Sequence, residues 1–168
     1  MGDDDYTVRP AVHEDLDRVT ELLLALQDHL EASNPDLWRM DDEARANLKG
    51  VTAGRLAADK GCALVAEHGV DGVVGVIFGR VVTNNRYDPP RAGVIDQAFV
   101  RADHRRRGVA TLLVRAVCAF FAQQDVEDLS LRYVAGNVEA AAFWTALGFV
   151  PRIVTTGASR GVVEGLVR

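Results

Sequence analysis

Apolar residues along this chain switch between alternate spacing and three-to-four spacing, and each switch marks an element. Tyr6 to Arg9 reads as a first strand, stopped by Pro10. Leu16, Val19, Leu22, Leu23, Leu26 and Leu30 then predict a helix over about 12–31, broken at Ser33-Asn34-Pro35-Asp36. A weaker helix is expected over about 43–59, with Leu48, Val51 and Leu56 inward. Ala63 to Glu67 and Gly72 to Val82 read as two strands joined by a tight turn at Gly69-Val70-Asp71-Gly72. The polar run Asn84 to Pro90 leads to a fourth strand at about 93–100, whose Val94, Ile95, Ala98, Phe99 and Val100 suit a strand covered on both faces.

Beyond it, Ala110, Leu113, Val114, Val117, Phe120 and Phe121 describe a third helix with one buried face. Leu129, Leu131 and Tyr133 alternate with Ser130 and Arg132 as a fifth strand, and a fourth helix is expected over about 138–147. Gly148 suits the left-handed position that ends this helix, with Phe149 placed to fold back on its last turn. Two further strands near 149–155 and 161–167 would complete an order of βααβββαβαββ, an α/β (α+β) chain of seven strands and four helices.

One junction in this pattern carries chemistry. The fourth strand runs through Arg101 and the basic turn Arg105-Arg106-Arg107 into Gly108-Val109-Ala110, where the third helix opens. The first N–H groups of a helix have no partner within it, and its N-terminus carries a partial positive charge. Small residues at Gly108 and Ala110 let a ligand approach the main chain, so the junction suits an anion, and a diphosphate above others. The competing reading is a solvated cluster of surface arginines.

Composition bounds what the anion is. A chain of 168 residues with 48% hydrophobic and 26% charged residues is one ordinary globular domain. Its net charge of −5 argues against a nucleic-acid surface and makes the arginines a local patch for a discrete ligand. No apolar run approaches the roughly 20 residues that span a bilayer. The start Met-Gly-Asp-Asp-Asp-Tyr lacks the basic end and apolar run of a signal peptide, so a cytoplasmic location without membrane association is expected. Cys62 and Cys118 are too few for a disulfide framework or a zinc site and read as buried or half-buried free thiols. His13, His29, His68 and His104 read as surface residues, His104 lying in the phosphate turn, and no metal site is expected.

Arg105-Arg106-Arg107-Gly108-Val109-Ala110 resembles motif A of the GCN5-related N-acetyltransferases (GNAT), Gln/Arg-x-x-Gly-x-Gly/Ala, which binds the pyrophosphate of acetyl-CoA. About thirty residues on, Asn137-Val138-Glu139-Ala140-Ala141-Ala142-Phe143-Trp144-Thr145-Ala146-Leu147-Gly148-Phe149 is similar to the family's motif B, Asn-x-x-Ala-x-x-Phe-Tyr-x-x-x-Gly-Phe. The resemblance implies a single domain over 1–168. Its fold would be a mixed, mostly antiparallel seven-stranded sheet flanked by four helices and splayed between the fourth and fifth strands. The implied activity is transfer of an acetyl group from acetyl-CoA, as co-substrate, to a primary amine of a small molecule or protein by direct attack on the thioester.

Carried onto this chain, the family pattern assigns acetyl-CoA binding to Ala98, Phe99 and Val100, to Arg105, Arg106, Arg107, Gly108, Val109, Ala110 and Thr111, and to Asn137 and Phe143. Asn137 is equally placed to cap the fourth helix. The Val100 N–H would stabilise the oxyanion, and the Phe99 and Val100 backbone would pair with the pantetheine arm as an added strand. An alkyl amine with a pKa near ~10.4 must lose a proton before it attacks. Asp96 is the expected base: strand alternation puts it on the face of Ala98 and Val100, where burial would raise its pKa. It would otherwise be a structural carboxylate bonded to backbone or to an arginine. Trp144 stands where the family has Tyr, and an indole cannot supply a proton. It would orient the thioester or belong to the core, with Tyr133 and Tyr87 as substitute acids. The thiolate, of pKa about ~8.5, can leave without full protonation.

The resemblance also implies that the acceptor enters between Ser33–Glu43 and Asn84–Arg91, against Trp38, Asp41 and Tyr87. The acids Asp36, Asp41, Asp42 and Glu43 would suit a cationic amine, although acids before a helix are also ordinary helix-start residues. Expected partners are acetyl-CoA and this amine, with a homodimer left open. A non-catalytic acetyl-CoA sensor is the alternative; a nucleotide-binding Rossmann domain is disfavoured because no Gly-x-Gly-x-x-Gly follows a strand.

Overall fold

The computed structural model describes residues 5–59, 61–86 and 88–167. The chain divides into two compact units, Met1–Val134 and Ala135–Arg168.

The first unit is built on one five-stranded sheet in the order β1 (Tyr6–Pro10), β2 (Gly61–His68), β3 (Gly72–Thr83), β4 (Arg91–Val100) and β5 (Leu129–Leu131). The first four strands are antiparallel neighbours, whereas β5 lies parallel to β4. Helix α1 (Leu16–Ser33) covers one face, its Val19, Leu22 and Leu23 packed with Val65, Val76, Phe78 and Phe99 in one cluster. Helix α5 (Val109–Gln123) covers the other through Leu113, Val117 and Phe121. This face is lined by glycines so that the helix can approach closely. A Cβ on Gly79 would stand 2.6 Å from Val117 Cγ2 and 3.0 Å from Phe121 Cζ. Gly79→Ala is therefore expected to destabilise the protein by about 1–3 kcal/mol, read as a lower urea midpoint with an unchanged slope. An unchanged midpoint would show that α5 can move aside.

The weak helix expected over about 43–59 is two short ones, α3 (Asp42–Ala46) and α4 (Leu48–Leu56), and a further short helix, α2 (Pro35–Trp38), follows the break after α1. The breaks come from local capping: the Asn34 side chain accepts the Leu37 N–H at 3.2 Å, and Asp41 accepts those of Glu43 and Ala44 at 2.8 and 3.1 Å. Glu31 ties the segment to α1 by accepting the Met40 N–H at 2.8 Å and Arg45 at 3.1 Å.

The second unit holds α6 (Val138–Ala146) and α7 (Arg160–Leu166). Gly148, at φ 90°, ends α6, and the Phe149 N–H reaches back to the Trp144 carbonyl at 3.0 Å. The two last strands expected near 149–155 and 161–167 are absent from the sheet. Residues 150–159 have no regular structure, 160–166 are helical, and 150–167 are exposed throughout. Pro151 removes a ladder donor from the first segment, and Ser159 caps the second as a helix by accepting the Val162 N–H. Among the described residues the sheet thus has five strands rather than seven, and there are seven α-helices rather than four. Among the described residues no helix is long and apolar enough to cross a membrane.

Candidate active site

The site is organised by a defect in β4. Phe78 stands opposite Gln97 and Gly79 opposite Ile95, so Asp96 is an extra residue without a partner on β3. The bulge resets the alternation of the strand. Val94 pairs with Arg80 on the α1 side of the sheet, and Asp96 stays on that side, where Arg80 Nε donates to both its oxygens at 2.8 and 3.1 Å. Ala98 and Val100, paired with Ile77 and Gly75, face α5 instead. Asp96 therefore does not share their face, because simple alternation fails at a bulge. Nor is it a buried carboxylate: its side chain is 24% exposed and ion-paired to Arg80.

The same defect frees one edge of β4. The Arg101 N–H bonds the Val74 carbonyl at 2.8 Å, which sets the phase of the ladder: Phe99 and Gln97 turn their main-chain groups to β3, and Ala98 and Val100 turn theirs away. On that outer side β5 pairs only with Gly93, Val94 and Ile95. The residue that would have continued the parallel ladder, Gln97, has been turned inward, so β4 and β5 part there. Within the sheet, no strand occupies the edge beside Ala98 and Val100. The Phe99 main chain is committed to β3; its ring lies in the core cluster. Tyr133 falls beyond the short β5 and is 39% exposed, its hydroxyl without a hydrogen-bond partner among the described residues.

That edge leads into the basic turn. Arg106, at φ 59°, and Gly108, at φ 84°, are both left-handed, and α5 begins at Val109 with no side chain capping its N–H groups. Main-chain donors of Val109, Ala110 and Thr111 are thereby left for a ligand. The arginines separate into two kinds. Arg101 is neutralised by Asp103 at 2.7 and 2.8 Å, and Arg105 folds back, its Nε donating to the Val100 carbonyl at 3.0 Å with its guanidinium 5.3 Å over the Phe99 ring. Arg106 and Arg107 are exposed and have no partner among the described residues. On the α1 side of this junction, Arg18, His29, Phe99, Arg101, Ala102 and Arg105 help line an open cavity of about 430 Å³.

Two groups that the sequence did not single out stand at the bulge. Arg55 of α4 donates through Nη1 to Gln97 Oε1, and its guanidinium lies 3.9 Å over the Phe78 ring. Burial pushes the Arg55 pKa down, while Asp96 and Arg80 act on it with opposite signs. Arg80 was legible as a lone charge in the apolar run of β3; Arg55 was not, because only packing of α4 on the sheet brings it there.

Trp38 and Asp41 lie in the α2–α3 segment, where the Asp41 carboxylate is engaged as a helix cap. Tyr87 lies outside the described residues. In the second unit, Asn137 caps α6 by accepting the Ala140 N–H at 3.0 Å. Trp144 is buried, its ring 4.9 Å from Phe143 and 5.4 Å from Phe149.

His104 is not a surface residue: it is 3% exposed, with Nδ1 against Tyr6 Oη at 2.9 Å and Nε2 against Arg101 Nη2 at 2.7 Å. His68 and Asp71 complete this cluster, in which three potential ligand atoms lie within 4.8 Å of one another. The Arg101 guanidinium, bound to Asp103, also lies 3.4 Å from Asp71 and so joins this cluster. Burial, and then Arg101, lower the His104 pKa, with Asp103, Asp71 and His68 acting as smaller influences. A histidine held neutral contributes stability above its unfolded pKa of about 6.5, and that contribution is lost as pH falls toward the depressed folded value. The urea midpoint is expected to drop below about pH 6.5, and His104→Gln to flatten the drop. An equal slope in the variant would refute this. Burial also raises the pKa of both thiols, Cys62 to about 11, so neither is a thiolate nucleophile near neutrality.

Comparison with known proteins fits this geometry. The model of the acetyltransferase (GNAT) family matches residues 23–149. Among solved structures, the chain superposes on a tetramutant of the BH1408 protein from Bacillus halodurans with a TM-score of 0.80 at 17% identity, covering 91% of this chain and 99% of that one. A GCN5-related N-acetyltransferase from Ralstonia eutropha gives 0.73 at 18%, covering 92% and 98%. The aminoglycoside 6'-N-acetyltransferase AAC(6')-IG from Acinetobacter haemolyticus gives 0.70 at 18%, covering 92% and 97%. No curated protein sequence matches. The family match spans most of the chain and includes both the basic turn and α6, and these structures share its fold: the chain belongs to the acetyltransferase (GNAT) family.

Proposed function

We propose that this chain is an acetyl-CoA-dependent N-acetyltransferase, one catalytic domain that moves an acetyl group to a primary amine. The observation that carries the reading is the uncapped N-terminus of α5 lying directly after a β4 edge that β5 leaves open. A diphosphate fits the first feature, and an extended amide-bearing arm fits the second. Val109, Ala110 and Thr111 would hold the pyrophosphate through their N–H groups, with Arg106 and Arg107 supplying charge. Ala98 and Val100 would hold the pantetheine amides, and the Val100 N–H would meet the oxygen that gains negative charge. Acetyl-CoA supplies the activated acyl thioester.

An acceptor ammonium loses one proton before attack and a second as the amide forms. Asp96 would take the first, although Arg80 holds it and must share it. The second leaves with the sulfur as thiol. Tyr133 is the candidate donor for that step, since Trp144 has no proton to give. Motif B assigns Asn137 and Phe143 to the cofactor, and the family's layout assigns Trp38, Asp41 and Tyr87, in the segments before and after β2 and β3, to the acceptor.

The second reading, a non-catalytic acetyl-CoA sensor, draws on Trp144, whose indole is engaged with Phe143 and Phe149. Acetyl-CoA is expected to raise the melting temperature, by the equivalent of about 2.7 kcal/mol at a hundred times its Kd. No shift at saturation would refute both readings. Thiol release over a panel of amines then separates them, because a sensor binds and releases none.

A further inference from the structure

The charges at the β4 bulge do not balance, and the imbalance has a definite form. Arg80 donates to Asp96 through Nε alone; its Nη nitrogens have no partner among the described residues, and its side chain is 50% exposed. Arg55 has one hydrogen-bond partner, the Gln97 amide oxygen, and one arene, Phe78. No carboxylate pairs with Arg55 among the described residues. A guanidinium carries five N–H donors in a planar fork and does not shed its proton near neutrality. None of the remaining Arg55 nitrogens is buried without a partner, so with a single neutral acceptor the fork stays open to an anion.

The position of Arg55 in the last turn of α4 explains part of this, since a cation suits a helix C-terminus. That field offers no acceptor for the remaining N–H groups, and it does not account for Arg80 on the same side of the sheet. Asp96 adds one negative group, ion-paired to Arg80 and in electrostatic reach of Arg55. The set of two guanidinium groups and one carboxylate repels a polycation and complements a zwitterion.

We propose that the amine acetylated here also carries a carboxylate: its ammonium meets Asp96, and its carboxylate enters the donors of Arg55 and Arg80. The acceptor is a free amino acid or a close analogue. This places Arg55 and Arg80 as specificity-determining residues, and it departs from the expectation that the acids of residues 36–43 select a simple cation. Asp41 is a helix cap, whereas the Arg55 donors are open. The proposal rests on the acetyl-transfer reading for the role of the site, but the acceptor's binding is separable from turnover.

The test is a thermal-shift titration of the full chain with CoA present, using a panel of L-amino acids, each set against its own carboxamide. At least one amino acid is expected to give half its maximal shift at a concentration about tenfold or more below its carboxamide, the scale of a lost charge-assisted hydrogen bond. Arg55→Ala is expected to bring that ratio close to one, and Arg55→Lys, which keeps charge without the fork, to leave it between. If Arg55→Ala does not fold, Arg55→Lys and Arg80→Gln carry the comparison. The proposal is overturned if no amino acid shifts the protein, if acid and carboxamide act alike, or if the ratio survives loss of Arg55. The shift from acetyl-CoA alone, recorded first, tests the acetyl-transfer reading. Its absence beside an intact acid preference would sink that reading and leave the carboxylate site standing.

Discussion

Reversing Arg106 and Arg107 together to Glu is expected to weaken acetyl-CoA binding about a hundredfold or more, with little change in the stability of the free protein. Both side chains are exposed and unpartnered, so their replacement breaks no contact within the fold. Surface changes of this kind stay within about 0.5 kcal/mol. For a diphosphate the change is severe, because two charge-assisted contacts become two repulsions beside the positive end of α5. Arg101 and Arg105 provide the contrast. They sit in the same basic run, yet Asp103 and the Val100 carbonyl already hold them, so Arg101→Gln should cost acetyl-CoA affinity much less. Isothermal titration at two salt concentrations decides the matter. If the four arginines prove equivalent, the run is a diffuse patch rather than a built site.

Asp96→Asn is expected to lower kcat about a hundredfold or more while acetyl-CoA affinity holds, the signature of a lost proton acceptor. Its bulge position sets Asp96 on the opposite face from Ala98 and Val100, so its replacement should leave the proposed acetyl-CoA contacts intact and the two measurements should separate. Arg80 complicates the residue, since its Nε donates to both Asp96 oxygens and must give one of them up to an incoming proton. Arg80→Gln is therefore an informative companion. A purely structural ion pair would lose stability equally from either side, whereas a catalytic Asp96 loses turnover far more on its own removal. Parallel loss of kcat and acetyl-CoA affinity in Asp96→Asn would make it the structural partner of Arg80.

Most of the first unit was legible because its signals are local. The three-to-four spacing of Leu113, Val117 and Phe121 needs only a helix and a core, and β1 to β4 followed from runs bounded by Pro10, the Gly69–Gly72 turn and the Asn84–Pro90 loop. Gly148 was recognisable because a left-handed backbone is cheap for glycine, whereas Gly108, read from the sequence only as a small residue, proves left-handed as well. Capping misled the reading of the middle and the end. Asn34, Asp41 and Ser159 stop or start helices by single hydrogen bonds that a periodicity count passes over. A strand was expected near 149–155 to complete the order, but a strand forms only against a partner strand.

The division between sequence and tertiary structure falls at the bulge. From its own residues the chain determined that an apolar strand would meet an uncapped helix through a basic turn, since spacing, glycine and charge act within a few residues. Which side of the sheet Asp96 occupies was decided by pairing with β3, because an extra residue in one strand shows only against its partner. Pairing likewise decided that Ala98 and Val100 face an open edge, and packing decided that Arg55 and His104 are drawn inward from distant segments. Local chemistry set what the protein can hold, and long-range contacts set which groups stand beside it.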